Sequence, residues 1–321
     1  MSKTLWISWT RARRSRDLAP EFGARFYEFS WHRVPPLRYA VALAATLAVL
    51  AWHRPRLVFV QNPSIFCAAL LTLLRKVFRF RLVVDTHTVV IPIRGWKGGV
   101  FSALTRLVER NADLCIVTNQ ALAEEIEARG GRAAVLPDKI PELPVAGSAK
   151  LPGRWNIVYI CSFAHDEPYH EVIRAAAELG PDVHVTITGD YRRVRDARPS
   201  SLPPNAHLTG YVGWQDYVNL LHAADAIVVL TRVPQCMLRG AYEALAAEKP
   251  LVLSDQVVLR EYFNSGVIHV DNSAGPIQQA VRNALADAPR LRVGIAELRR
   301  RRAREWPRMR DAVRRAIPER S

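Results

Sequence analysis

Cysteine is scarce in this sequence, and its spacing builds no recognisable site. Only four of the 321 residues are cysteine, far apart, with no Cys-x-x-Cys pair and no Cys/His spacing typical of zinc. Cys115 and Cys161 lie inside apolar runs instead. We therefore expect neither a disulfide framework nor a metal site, but small core thiols in a reducing compartment.

Long hydrophobic runs are also missing. The one candidate, residues 39–52, is uncharged over 14 residues, whereas about 20 are needed to cross the hydrocarbon core of a bilayer. We expect a buried core helix there rather than a membrane span. At the start of the chain a short apolar run precedes the charges, which is not the order of a signal peptide. The sequence thus predicts a cytoplasmic protein, at most peripheral on the inner face of the membrane.

Acidic residues are outnumbered, and the excess of positive charge is confined to the two ends. Of the formal net charge of +15, residues 1–60 carry an excess of 7 and residues 290–321 an excess of 8, so the residues between are neutral overall. Such clusters predict an electropositive surface for an anionic partner: a lipid headgroup layer, a polyanionic glycan or nucleic acid. A solvated basic surface is the alternative. Nucleic acid is disfavoured, because the cations are not interleaved with aromatic residues and no binding motif is present.

Short β-branched runs alternate with helical stretches, such as residues 63–78 and 98–112, along both halves of the chain. This alternation predicts βαβ units and parallel sheets. The predicted strands are residues 4–9, 56–62, 81–87 and 113–119 in the first half, and 155–163, 183–190, 207–212, 226–231 and 250–255 in the second.

A segment without a periodic apolar face separates the two halves. Residues 137–154 contain four prolines and two glycines, a composition typical of an interdomain linker. We expect two Rossmann-like, doubly wound parallel-sheet domains that face a cleft, where ligands bind at the carboxyl ends of the strands. The predicted division is residues 1–140, a linker 141–154, residues 155–300, and a last helix, 301–321, that crosses back to the first domain.

Residues 210–255 resemble the donor-binding region of GT-B glycosyltransferases of the family 4 type. The resemblance lies in the order of a strand ending near Gly210, a helix with "LLHAAD", a strand, a loop, a helix with "EALA" and a strand ending in "PLVLSD". The "DEP" in residues 162–179 resembles the dolichol-pathway β-mannosyltransferases and related bacterial polysaccharide enzymes. The resemblance implies a hexosyl- or glycuronosyl-transferring enzyme that moves a sugar from a nucleotide-diphosphate sugar to a lipid-linked or polysaccharide acceptor.

Two positions depart from the family pattern. The family usually carries two glutamates eight positions apart; here the second is Glu243 and the first is replaced by Gln235. A glutamine can hydrogen-bond a sugar hydroxyl but carries no charge to stabilise an oxocarbenium-like transition state, which favours an inverting mechanism. Glu248 replaces the usual glycine, the residue best suited to a left-handed turn at the helix exit.

The donor residues follow from the resemblance and from the physics of phosphate binding. A diphosphate is best held by N–H groups at a helix N-terminus together with a cation. We assign Leu238, Arg239 and Gly240 to the diphosphate, Gln235 and Glu243 to sugar and ribose hydroxyls. The alternatives are that Arg239 is only a solvent-exposed arginine and that Glu243 is only an acid near a helix N-terminus. We further predict that the segment from Asp190 to Arg193 contributes a second cation and part of the base pocket to the donor site. A surface loop is an equally compatible alternative.

The acceptor is expected at the first domain, where the strand "RLVVDTH" ends. Asp85 and His87 lie two residues apart and therefore point the same way, so that either can take the proton of an acceptor hydroxyl. The alternatives are that His87 orients the leaving phosphate and that Asp85 only caps the next loop. Asn119 ends a neighbouring strand. A loop carrying four arginines is expected on the acceptor side: Arg11, Arg13, Arg14 and Arg16.

Two other classes of function remain open from the sequence. A nucleotide-sugar epimerase shares the two-domain fold, and a non-enzymatic polyanion-binding protein accounts for the charge. No acidic pair of the DxD kind lies in the donor region, so neither a metal nor another cofactor is expected. We expect UDP before GDP as the nucleotide of the donor, an anionic membrane surface as a partner, and no nucleic acid. The oligomeric state is not predicted.

Overall fold

The computed structural model describes residues 3–30, 35–62, 64–86, 96–145 and 147–319, without the side chains of residues 35, 36 and 96–98. The chain forms two compact units, one made of residues 1–139 with 305–321 and the other of residues 140–304. Each unit contains a six-stranded sheet. The predicted α/β class with two Rossmann-like domains is confirmed.

The first unit alternates strands and helices around a parallel sheet of order β2-β1-β3-β4-β5-β6. Its elements are β1 (Thr4–Ser8), α1 (Arg13–Leu18), β2 (Arg25–Glu28), α2 (Pro35–His53), β3 (Leu57–Gln61), α3 (Ile65–Phe78), β4 (Arg81–Asp85), α4 (Trp96–Asn111), β5 (Leu114–Val117), α5 (Gln120–Ala128) and β6 (Ala133–Val135).

The second unit repeats the plan with the sheet order β12-β11-β10-β7-β8-β9. Its elements are β7 (Trp155–Tyr159), α6 (Tyr169–Ala177), β8 (Val183–Ile187), β9 (Ala206–Leu208), α7 (Trp214–Ala223), β10 (Ala226–Val229), α8 (Arg239–Ala246), β11 (Leu251–Ser254), α9 (Val257–Tyr262), β12 (Val267–Val270), α10 (Ala274–Ala286) and most of α11 (Ala288–Ala316).

Three strands were not predicted, and all three lie at sheet edges. β2 and β6 close the two edges of the first sheet, and β12 closes one edge of the second. An edge strand has a neighbour on one side only and is less buried, so its sequence lacks the apolar run that marks a central strand. β2 shows this directly, because the segment Arg25–Glu28 has no fully buried side chain.

Two apolar layers cover the first sheet. Alternate strand residues point to opposite faces, so that Leu5 and Val58 face the layer formed by α2 to α5, whereas Trp6 and Phe59 face the other layer. That second layer contains α1 and the end of α11, with Trp306 and Val313 in its core. The described helices of the first unit therefore lie on both faces of its sheet, as in a doubly wound fold.

The apolar run at residues 39–52 forms a helix, but the expectation that it is buried is wrong. In α2 the side chains of Ala42, Thr46 and Leu50 are buried against the sheet, whereas Leu37 and Trp52 remain 56% and 70% exposed. One helix face is thus enough to hold α2 on the domain. Within the described part of the chain, no helix has the length and apolarity needed to cross a membrane.

The predicted linker and the last helix belong to different units. Residues 140–154 group with the second unit, where the carbonyl oxygens of Leu143 and Pro144 accept hydrogen bonds from α7. Residues 305–321 group with the first unit. There the indole Nε1 of Trp306 donates to the carbonyl oxygen of Pro137 at 3.0 Å, and Arg310 pairs with Glu21.

Candidate functional site

The start of α8 lies where a doubly wound sheet binds its ligand. In the second sheet β7 and β10 are neighbours, with β8 and β9 on one side and β11 and β12 on the other. The chain direction across the sheet therefore reverses between β7 and β10, and such a switch point opens a crevice at the carboxyl ends of the strands. α8 begins after β10, so the predicted residues Leu238, Arg239 and Gly240 lie at this edge.

Gly240 allows the start of α8 to pack closely on these strand ends. A Cβ atom at this position would lie 3.0 Å from Cγ2 of Ile160 and 3.1 Å from Cγ1 of Val229. The glycine therefore brings the helix N-terminus against the ends of β7 and β10. Leu238 is the N-cap residue and supplies no side-chain hydrogen bond. The first turn also contains no acid, so this positive helix end suits an anion such as a phosphate.

The loop before α8 and the turn after it both contain residues in the left-handed region. Gln235 has φ 59° and Glu248 has φ 54°, a conformation that is costly for residues other than glycine. Glu248 thus adopts the turn that the family usually gives to glycine. Arg54 and Arg79, which follow helices of the first unit, also have positive φ, so the donor role of Gln235 stays a prediction.

Glu243 is buried and held by hydrogen bonding. Its side chain is only 3% exposed, and Oε2 accepts a 2.6 Å hydrogen bond from the hydroxyl of Tyr217 on α7. Its Oε1 lies 3.4 Å from Nε of Arg239, one turn earlier on the helix. The Glu243 carboxylate is therefore fixed in one orientation, one turn after the N-terminus of α8. Sequence reasoning missed Tyr217, because nothing in the sequence links it to a residue 26 positions away.

The strand ends beside β7 are held by a close backbone approach. Gly189 follows β8 with φ 99°, and a Cβ there would lie 2.2 Å from the carbonyl oxygen of Cys161. The predicted Asp190 comes next, but it pairs with Arg192 at 2.7 Å. This hydrogen bond lowers the pKa of Asp190. Arg193 is exposed in the same short loop.

The acids of the "DEP" motif stabilise the loop that follows β7. Oε2 of Glu167 accepts hydrogen bonds from the backbone N–H groups of Ser162 and Ala164, both at 2.8 Å. Oδ2 of Asp166 accepts from the hydroxyl of Thr231, after β10, at 2.6 Å. The motif thus ties the loops at the switch point to each other, which is a structural task.

Two cavities of the second unit contain none of the predicted donor residues. One of about 700 Å³ is lined by the segment 148–152, His184, His207 and the α7 side chains. The other, of about 490 Å³, lies at the carboxyl ends of β10 to β12 and is lined by Arg232, Asp255 and their neighbours. Because ligands of doubly wound sheets bind at carboxyl ends, the smaller cavity is better placed to extend a donor site. The described residues include no group of three side chains that could hold a metal ion.

The expectation of an arginine loop on the acceptor side is corrected for Arg14. Residues 13–18 form the helix α1, and Arg14 is only 5% exposed, while Arg11 and Arg13 remain exposed. Nε of Arg14 donates to both carboxylate oxygens of Asp85, at 2.9 and 3.1 Å. Its other nitrogens bond Asp138 and the carbonyl oxygen of Leu136. Arg14 is therefore an internal brace of the first unit.

The remaining acceptor-side residues are only partly described. Asp85 is fully buried at the end of β4, where the contact with Arg14 fits a positioning role better than that of a proton acceptor. His87 lies outside the described residues. Asn119 is the N-cap of α5, and its side-chain oxygen accepts from the N–H of Leu122 at 3.0 Å. Its amide thus has a capping role.

Comparison with known proteins places this geometry in a family. Residues 7–137 match the model of a glycosyl transferase 4-like domain, and residues 146–304 match the model of glycosyl transferases group 1. No curated protein is similar enough to count as a match.

Solved structures share the whole fold at low sequence identity. Anabaena HepE in complex with UDP is 14% identical, with a TM-score of 0.69 over 99% of both chains. The sucrose-phosphate synthase of Thermosynechococcus elongatus is 14% identical, with a TM-score of 0.73 over 98% of both chains. A trehalose 6-phosphate synthase from Burkholderia multivorans is 13% identical, with a TM-score of 0.71 over 99% of this chain and 98% of the other.

The two family models decide between the classes of function that the sequence left open. Both are glycosyltransferase domains and together they span most of the chain, which favours a transferase over an epimerase or a non-enzymatic binding protein. The chain belongs to the GT-B glycosyltransferases of the family 4-like type.

Proposed function

We propose that the protein transfers a sugar from a nucleotide-diphosphate sugar, UDP-linked before GDP-linked, to a lipid-linked or polysaccharide acceptor in glycan biosynthesis. The main support for donor binding at this site is the packing of Gly240, which brings the α8 N-terminus to the β7/β10 switch point. Arg239 adds a cation at that helix end. HepE, which shares the fold, has been solved in complex with UDP and with UDP-glucose, and this supports the choice of UDP.

The proposed reaction inverts the anomeric configuration. The acceptor hydroxyl oxygen forms a bond to the anomeric carbon, while the bond from that carbon to the diphosphate oxygen breaks. The nucleoside diphosphate leaves with the electron pair, and its charge is stabilised at the α8 N-terminus. The proton of the acceptor hydroxyl passes to a base. Since Asp85 is committed to Arg14, we assign the base to His87 and the positioning of its strand end to Asp85.

A peripheral position on the inner face of the membrane completes the proposal. A lipid-linked acceptor presents its diphosphate and sugars at the bilayer surface, and the exposed cations Arg11 and Arg13 of the first unit suit the anionic diphosphate or glycan of that acceptor. These residues remain candidates for acceptor binding. Arg14 does not, because it is buried.

The test is release of nucleotide from UDP- and GDP-sugars, with and without a membrane extract as the source of acceptor. Proton NMR of the product reports the anomeric configuration. We expect release that depends on acceptor, an inverted product, and loss of at least a hundredfold in kcat for His87→Ala, from the removal of the base. His170→Ala, at an exposed histidine of the second unit, serves as the matched control and should leave kcat unchanged. A retained configuration, or full activity of His87→Ala, contradicts the proposed mechanism.

A further inference from the structure

Three neighbouring helices of the first unit present an apolar surface to solvent. α2, α3 and α4 pack on the same face of the sheet, and aromatic rings join them side by side. The ring centroids of Tyr39 on α2 and Phe66 on α3 are 5.6 Å apart, and those of Phe66 and Phe101 on α4 are also 5.6 Å apart. The outer surfaces of the three helices are therefore continuous.

Exposed large hydrophobic side chains are concentrated on these helices. The described part of the chain has fifteen, of which nine lie here: Leu37, Tyr39, Leu43, Trp52, Phe66, Leu73, Val77, Val100 and Leu107. Leu73 is 68% exposed and Val77 is 73% exposed. The solvent face of a helix in a soluble protein normally carries polar residues, and apolar patches of this kind mark interaction surfaces.

The exposed charges of α2, α3, α4 and the segments that connect them are of one sign, whereas the neighbouring helix α5 carries the exposed acids Glu124, Glu125 and Glu127. Residues 35–111 contain eleven Lys and Arg and only two acids, Asp85 and Glu109. Both acids are fully buried, and each is paired with an arginine of its own unit. The exposed cations on and beside the three helices are Arg54, Arg56, Lys76, Arg79, Arg106 and Arg110. In the described residues of this range, no acidic side chain faces solvent.

We propose that this apolar-basic face, the exposed side chains of α2, α3 and α4, lies in the headgroup region of an anionic phospholipid bilayer. An anionic bilayer offers acyl chains to Trp52, Leu73 and Val77 and phosphate groups to the surrounding cations. A second copy of the chain is a poor partner, because a two-fold interface would bring identical cations together. The inference rests on the peripheral position in the proposed function, for which it names the surface, and does not depend on donor binding.

This position includes α2 from the first charged end of the sequence but not the second charged end, in α11. The basic end of α11 packs with α1 on the opposite face of the sheet, so a flat bilayer that contacts α2, α3 and α4 does not contact that layer. The basic end of α11 therefore supplies a surface for another task, such as acceptor binding, and the apolar-basic face supplies the membrane contact.

The test is flotation with vesicles of phosphatidylcholine alone and of a three-to-one mixture of phosphatidylcholine and phosphatidylglycerol. We expect the full chain to bind the mixed vesicles, and the variant Trp52→Ser/Leu73→Ser/Val77→Ser to bind them at least about tenfold more weakly, because apolar area no longer enters the interface. These three side chains are at least 68% exposed, so the variant should fold normally.

Two matched controls make the result specific. Val257→Ser/Val293→Ser removes side chains that are 71% and 59% exposed on the second unit and should leave vesicle binding unchanged. Arg308→Glu/Arg315→Glu changes exposed cations of α11 and should weaken binding less than the triple variant. Stabilisation of the triple variant by nucleotide, measured in parallel, reports on the donor site separately.

Three outcomes would overturn the inference. The first is a wild-type protein that binds neither kind of vesicle. The second is a triple variant that binds as the wild type does. The third is a dimer, seen by analytical ultracentrifugation, that the triple variant converts to monomer without any change in vesicle binding.

Discussion

Arg14 shows how one buried residue organises the first unit. Its guanidinium bonds Asp85, Asp138 and the carbonyl oxygen of Leu136, residues that are up to 124 positions away in sequence. Burial lowers the pKa of Arg14, but the two carboxylates outweigh this effect and raise the pKa above its usual value. The arginine therefore stays charged and holds the end of β4, where the proposed base follows.

The first prediction concerns this ion pair. Arg14→Met should lower the free energy of unfolding by about 3–5 kcal/mol, because it leaves buried carboxylates without their partner. The exposed neighbour Arg13 gives the matched control, for which Arg13→Met should cost less than about 0.5 kcal/mol. Urea unfolding of both variants is the measurement. Equal losses in the two variants would show that the buried cluster does not stabilise the fold.

The second prediction concerns the strained turn after α8. At position 248, where φ is 54°, glycine should be more stable than alanine by about 1 kcal/mol, because only alanine suffers the left-handed conformation. At Gln279, which is exposed inside α10, alanine should instead be more stable than glycine by a similar amount. Both substitutions at position 248 lose the same ion pair with Arg299, so it cancels from the comparison. Thermal unfolding of the four variants is the measurement, and the same order at both positions would contradict the argument.

At the scale of helices and strands, the sequence predicts an element correctly when that element has a distinct pattern of apolar residues. Central strands such as β3 and β7 show continuous apolar runs and were predicted; the edge strands and the short helix α1 do not, and were missed. The helix at residues 39–52 was predicted as a helix but not as a surface helix, because its outward face is as apolar as its inward face. A sequence pattern cannot show which of two apolar faces meets the sheet.

The third prediction tests the packing of α8. Gly240→Val should destabilise the protein by about 1–3 kcal/mol and weaken nucleotide binding, because its side chain would press on Ile160 and Val229. A Cβ atom at Gly275, in the first turn of α10, would meet no described atom within 4 Å, so Gly275→Val should change stability by less than about 1 kcal/mol. Differential scanning calorimetry distinguishes the two. A Gly240→Val protein with wild-type stability and nucleotide affinity would show that the close packing is not needed.

At the scale of the whole molecule, contacts between distant residues were beyond sequence reasoning. The predicted positions of Leu238, Arg239 and Gly240 at a helix start agree with the structure, because local pattern and resemblance both mark that helix. The hydrogen bond from Tyr217 to Glu243 and the Arg14 cluster depend on how separate elements pack. Neither leaves a signal in the spacing of residues.

The fourth prediction concerns the pH dependence of stability. Burial lowers the pKa of His184, aided by the nearby His207, and burial also lowers the pKa of His269. At pH values above the normal histidine pKa of about 6.5, both states are neutral and the shift has no effect. As the pH falls below that value, the unfolded state takes up protons first, so the free energy of unfolding should decrease.

The measurement for this prediction is a series of urea unfolding curves between neutral and mildly acid pH. His184→Gln/His269→Gln should show a smaller decrease than the wild type, while the exposed His170→Gln should follow the wild type. A double variant that loses stability on acidification as steeply as the wild type would show that these two histidines do not carry the effect.

The central claim is that the start of α8 holds the nucleotide of the donor sugar. Its most direct test is a thermal-shift titration with UDP, GDP, ADP and dTDP, with and without magnesium, on the wild type and on Arg239→Ala and Glu243→Ala. A ligand that binds only the folded state adds about 2.7 kcal/mol of stability at a hundredfold excess over its Kd. We predict that UDP stabilises the wild type and that both substitutions abolish the shift. If no nucleotide stabilises the wild type, or if both variants respond as the wild type does, α8 is not the donor site.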